Sequence, residues 1–388
     1  MHAARRRAVW WLGASQCVYW GLLYYGFPVL LLPMQAGLGL HRTAVAGAFS
    51  FGLLLAALSA PRIGRWLDAG HAAAVFRAGA ALAVAGLASL AMARGAFGLV
   101  LGWSLVGLAM AGLLYEAAFA LVGRAFDDAG ERLRALAAVT VSGGLASTVF
   151  LPLLAWVVDT VGWRGALLLF AASVVAMAVL LERQVLPVLS RPIALPKEAP
   201  AGVAHRKVPL AARVVFPLAT FAAAGLTTLL VPLLVQRGQA PVAAASALAG
   251  FGLAQLPGRL WLLGGRRRVS VALLVWWPLV LQSAGLLVVA MSGGLVAAAL
   301  GVGVFGLGAG LHTLARPWLL QGLAGPALAG RWNGEVARVQ GIARAVGPVL
   351  VVAASATLGM PAVLVIVALV LLASVPAARS LASGARRP

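Results

Sequence analysis

Few side chains in this 388-residue chain could do chemistry, and most of those stand in apolar surroundings. Of nine acidic residues, Glu116 alone lies well inside an apolar run. A carboxyl group at membrane depth is costly, and is by default a candidate proton carrier or solute contact. The plainer alternative is an ion pair or hydrogen bond that locks its helix. His312 lies half a chain length further on, and imidazole exchanges protons near physiological pH. Glu116 and His312 together could bind proton and solute in exchange. His312 alone could be a neutral ring bonded to a helix carbonyl. A buried guanidinium demands an anion or carboxylate. Arg344 could therefore pair with Glu116 or hold an anionic ligand. Arg316 could do the latter, or snorkel to headgroups. Tyr19, Tyr24 and Tyr25 offer rings and hydroxyls to a cavity, or to an interfacial belt.

Other chemistries are poorly supplied. The five histidines, at positions 2, 41, 71, 205 and 312, are scattered and form no catalytic constellation, so no enzyme is expected. Cys17 is the single cysteine, which excludes a disulfide or thiolate metal site within one chain. Gly301-Val302-Gly303-Val304-Phe305-Gly306 spells a dinucleotide fingerprint. It lies in an apolar span with no preceding strand and no acid ~20 residues on, so close helix packing is the better reading. No Walker motif is present, and neither a cofactor nor a metal is expected.

The elements that must position these residues are helices in a bilayer. Hydrophobic residues make up 62% of the chain and charged residues 10%, and the mean hydropathy is +1.00. Soluble domains are nearer half apolar and a quarter charged. A span needs ~20 apolar residues, and lipid-exposed backbone must bond within its own segment. Twelve segments are expected, at about 9–33, 44–66, 72–93, 96–123, 134–158, 162–183, 209–236, 241–262, 268–292, 294–315, 334–358 and 360–378. Arg5 to Arg7 precede the first segment as in a signal peptide, but the run continues past Leu32, too long for one. The net charge of +21 does not indicate nucleic acid, because the basic residues are scattered between apolar runs. With the N-terminus in the cytoplasm, every Lys and Arg except Arg42, Arg94, Arg164 and Arg237 falls on or near the inner side.

The segment 184–208 carries Pro187, Pro192, Pro196 and Pro200 with Lys197, Glu198, Arg206 and Lys207, and reads as a cytoplasmic linker. It separates residues 1–183 from 209–388, six helices each. The halves echo one another: Gly64-Arg65-Trp66-Leu67 after helix 2 is matched by Gly258-Arg259-Leu260-Trp261 after helix 8. Two parallel six-helix halves are a known internal symmetry of transporters. Pro28, Pro33, Pro217 and Pro232 suit bent first helices in each half.

At this point the chain resembles the major facilitator superfamily. The family's signature between helices 2 and 3 reads here Gly64-Arg65-Trp66-Leu67-Asp68-Ala69-Gly70-His71, one residue short between Asp and Gly. Trp20-Gly21, Tyr24-Tyr25, Leu114-Tyr115-Glu116-Ala117-Ala118-Phe119, Gly162-Trp163-Arg164, Val231-Pro232-Leu233-Leu234 and Ala345-Val346-Gly347-Pro348 resemble a bacterial branch. The resemblance implies an all-α integral membrane protein, with twelve helices in two pseudo-symmetric six-helix bundles. It implies a monomeric secondary transporter in the bacterial cytoplasmic membrane with both termini inside. Its partners would be a small-molecule substrate, protons and lipid. Helix 4, with Glu116, would line a central cavity. Gly64, Arg65, Asp68, Arg124 and Glu335 would form a gate at the cytoplasmic helix ends. A small organic anion is the expected solute. Efflux of a drug, toxic molecule or metalloid, and a non-transporting sensor on the same fold, are the alternatives.

Overall fold

A computed structural model describes residues 3–126, 128–190, 207–263, 275–324 and 326–384. Helix is the only regular structure among them. They fall into two compact units, Met1–Ala194 and Leu195–Pro388.

The first unit opens with one long span in three parts. Helix α1 (Ala3–Tyr19) runs into a π-helical turn (Trp20–Tyr25) and then α2 (Gly26–Leu38). Its helices continue as α3 (Arg42–Asp68), α4 (Ala72–Met92), α5 (Ala96–Leu113), α6 (Tyr115–Ala125), α7 (Ala129–Gly144), α8 (Ala146–Gln184) and the short α9 (Leu186–Leu189). The second unit holds α10 (Leu210–Gln236), α11 (Pro241–Leu263), α12 (Trp277–Met291), α13 (Leu295–Ala324), α14 (Pro326–Leu358), α15 (Met360–Ala373) and α16 (Val375–Gly384). Nine helical runs among the described residues are long and apolar enough to cross a bilayer. One of them, Arg134–Gln184, departs from helical geometry at Gly162 (φ 72°, ψ 164°) and so divides in two. Pro241–Leu263 and the shorter apolar helix Trp277–Met291 complete twelve, six in each unit.

Glycine sets the packing, because lipid supplies little hydrophobic drive and close backbone approach must hold membrane helices together. A Cβ on Gly107 of α5 would overlap the Gly52 backbone of α3. A Cβ on Gly86 of α4 would lie 2.8 Å from the Val106 amide nitrogen of α5. In the second unit, Gly301, Gly306, Gly308 and Gly310 let α13 meet its neighbours. A Cβ on Gly306 would lie 2.7 Å from the Ala254 Cβ of α11. The fingerprint-like run is thus helix packing in the interior of α13. The first unit also has an aromatic core: Phe27 and Phe49 stack at 3.9 Å, and Trp103 meets both edge-on.

Several boundaries differ from expectation for physical reasons. The helix expected over 96–123 breaks at Leu114, whose backbone is extended (φ −83°, ψ −166°). The fifth helix begins earlier, at Ala129, where Asp128 caps it by accepting from the Glu131 amide at 2.7 Å. No loop separates the fifth and sixth helices, because Gly162 turns the chain by itself in a conformation open to glycine. Helix α13 continues past 315 to Ala324, and α14 begins at Pro326, ahead of 334. Residues 191–206 of the expected linker and 268–274 of the expected ninth helix lie outside the described residues.

Candidate functional site

In the first unit, two backbone irregularities lie side by side. A helix broken in a membrane strands carbonyls that need partners. At the α5–α6 break, Gln16 of α1 supplies one: its Nε2 donates to the Leu113 carbonyl at 2.8 Å. Gln16 is buried, and its Oε1 has no hydrogen-bond partner among the described residues. Four residues along, helix 1 widens into the π turn, a distortion frequent at functional sites. Trp20 in that turn meets Tyr115 at the start of α6, ring centroids 5.0 Å apart. Tyr115 stacks on Phe119 at 5.0 Å, and Trp20 meets Tyr24 edge-on at 5.3 Å. Tyr24 is buried and touches Tyr25, which is half-buried. Tyr19 is fully buried with no partner for its hydroxyl among the described residues, so it is no belt residue.

Glu116 sits in the first turn of α6, where aligned peptide dipoles favour an anion. The expectation was a desolvated carboxyl. The structure instead leaves Glu116 exposed, just after the break at Leu114. A locking ion pair or hydrogen bond is also absent for Glu116 among the described residues.

In the second unit, three helices contribute to one polar cluster. Helix α13 gives His312 and Arg316, one turn apart, α14 gives Gln340, and α10 gives Phe216 and Thr220, again one turn apart. Arg316 Nη1 donates to Gln340 Oε1. Gln340 Nε2 in turn donates to Thr220 Oγ1 at 2.8 Å and to the Phe216 carbonyl at 3.3 Å. A single amide therefore fixes the guanidinium of one helix to the backbone of another. His312 is buried against the Phe216 ring at 4.8 Å, and its Nε2 has no hydrogen-bond partner among the described residues. Gln282 of α12 is 1% exposed, and both its amide atoms lack a partner among the described residues. It packs against α13 one turn from His312, where a Cβ on Gly308 would lie 3.1 Å from Gln282 Cγ. Arg344 is half-buried one turn beyond Gln340.

The gating candidates divide between the units. Gly64 and exposed Arg65 lie in the last turns of α3, and half-buried Arg124 ends α6. Asp68 is the final residue of α3, and its side chain lies outside the described set. Glu335 is paired within its own unit, to Arg213 of α10. Gln16, Thr220, Gln282 and Gln340 were missed by sequence reasoning. Their signal is a neutral amide or hydroxyl in an apolar run, with no charge to mark it.

Residues 12–348 match the model of the family described as Major Facilitator Superfamily. The chain belongs to that superfamily. It is accordingly a multi-pass membrane transporter and not an enzyme. Among solved structures it is similar to a bacterial homologue of the human lysosomal transporter Spinster, in an inward-facing and unoccupied conformation. The TM-score is 0.80 at 13% identity, covering 99% of this chain and 98% of that one. It is similar also to a POT family transporter in complex with a thioalcohol-conjugated peptide (TM-score 0.79, 15% identity, 98% and 96% covered). A third is a POT family transporter holding 5-aminolevulinic acid (TM-score 0.78, 15% identity, 98% and 96% covered). No curated protein matches the sequence.

Proposed function

We propose that this superfamily member is a proton-coupled secondary transporter that moves a small organic anion by alternating access. The observation that carries the reading is the Arg316–Gln340–Thr220 cluster. A guanidinium within a long apolar helix is expensive, and orienting it through a second side chain suits bidentate capture of a carboxylate. Arg344, one turn from Gln340, is the second anion contact. Exposed Glu116 and the open Nε2 of His312 are the proton-handling groups. Gly64, Arg65, Asp68, Arg124 and Glu335 act in gating at the cytoplasmic side of a bacterial plasma membrane. The fold accommodates a small carboxylate-bearing solute, since one similar structure binds 5-aminolevulinic acid. A second reading, efflux of aromatic or cationic compounds, is favoured by the Trp20–Tyr115–Phe119 rings beside Glu116.

The test is substrate-induced proton movement in proteoliposomes with a pH dye trapped inside. Organic anions, metalloids and cationic drugs would be added in turn. Anion-specific acidification or alkalinisation is expected. Arg316→Lys should raise the half-saturation concentration by roughly tenfold or more, because a point charge replaces the planar fork. Glu116→Gln should abolish the pH signal. A response to cationic drugs alone would select the second reading, and an anion response unchanged in Arg316→Lys would remove Arg316 from the site.

A further inference from the structure

A groove in the first unit runs between α1 and the end of α8, away from every residue assigned above. Arg7 and Trp11 line it from α1. Val179, Leu180, Arg183 and Gln184 line it from α8. Arg7, Arg183 and Gln184 are exposed, and neither arginine makes a hydrogen bond or ion pair among the described residues. The acid beside Arg183 is already taken: Glu182 accepts from Arg77 Nε at 3.0 Å and pairs with its second nitrogen. Two guanidiniums facing one groove repel each other unless an anion lies between them. Ala176, Val179 and Leu180 make the groove's floor apolar, and Trp11, 38% exposed, lines it as a residue of a membrane interface does.

From this arrangement we infer that the groove is a binding site for an anionic phospholipid. The phosphodiester sits between Arg7 and Arg183, Gln184 donates to a headgroup oxygen, and an acyl chain lies on Val179 and Leu180. A soluble anion would use the arginines but has no use for the apolar floor. The basic groove between membrane helices has the chemistry by which such headgroups are recognised. The end of the unit that Arg7 and Arg183 mark is the basic one, which places the lipid in the inner leaflet.

The experiment is native mass spectrometry of the full chain, released from micelles containing equal phosphatidylglycerol and phosphatidylcholine. Selective phosphatidylglycerol adducts are expected on the unmodified protein. They should fall roughly tenfold or more in the Arg7→Gln, Arg183→Gln double variant. They should persist in Arg94→Gln, and be partly kept in the double Lys variant, which preserves charge and reports on folding. Equal retention of phosphatidylcholine would overturn the assignment. So would adducts undiminished in the double Gln variant, or displacement by inorganic phosphate as effective as by lipid. Transport is not part of the readout, so failure here would leave the proposed function standing.

Discussion

At the scale of single residues, two of the four arginines on the expected outer side serve as caps. Arg164 Nη2 donates to the Ala93 carbonyl at 3.0 Å, closing the end of α4, and lies 4.0 Å over the Trp163 ring. Arg237 does the same for α12, reaching the Ala290 carbonyl at 3.0 Å and Ser292 Oγ at 2.9 Å. Both exploit stranded carbonyls and the negative end of a helix. These outer cations are therefore bound to the protein. Arg164→Gln should cost about 1–2 kcal/mol and lower the thermal midpoint in detergent by a few degrees. Arg94→Gln, which removes an exposed group without a partner, should leave the midpoint unchanged.

At the scale of elements, helix contacts are set by glycines at chosen positions, and the choice is testable one methyl at a time. Gly107→Ala would drive a methyl into the Gly52 backbone, where nothing flexible can yield. A loss of about 1–3 kcal/mol is expected, read as a lower midpoint and a broader size-exclusion peak. Gly303→Ala, with nothing within 4 Å of the added carbon, should be neutral or slightly stabilising. The spans themselves were legible in the sequence, since long apolar runs admit little but helices. The break at Leu114 and the π turn at Trp20–Tyr25 were not. Each departure is met by a side chain on another segment, Gln16 or Tyr115. Such a partnership is tertiary and leaves no local pattern. The same holds for Arg316, where charge was visible but its orienting amide, Gln340, was not.

At the scale of the whole molecule, charge asymmetry makes an orientation claim. In a Cys17→Ser background, a membrane-impermeant maleimide applied to right-side-out vesicles should label Arg94→Cys and spare Ala69→Cys. Both positions are exposed, so accessibility to the reagent is decided by side. The opposite pattern would invert the topology and move the lipid groove to the outer leaflet. The six-and-six division followed from Pro-rich composition at 184–208 and from the helix count.

The π turn also sets an angle. A residue in an α-helix advances the chain by about 100°, and a π turn holds one residue more than an α turn. Wound as ordinary helix, Trp20–Tyr25 would rotate everything upstream by roughly that amount. Gln16 would swing off the Leu113 carbonyl, and Arg7 would leave its groove with Arg183. The first span is thus phased like two gears on one shaft. A one-residue deletion inside the turn would let it close as ordinary helix with both flanks still in phase, whereas rewinding all six residues turns the whole N-terminal half.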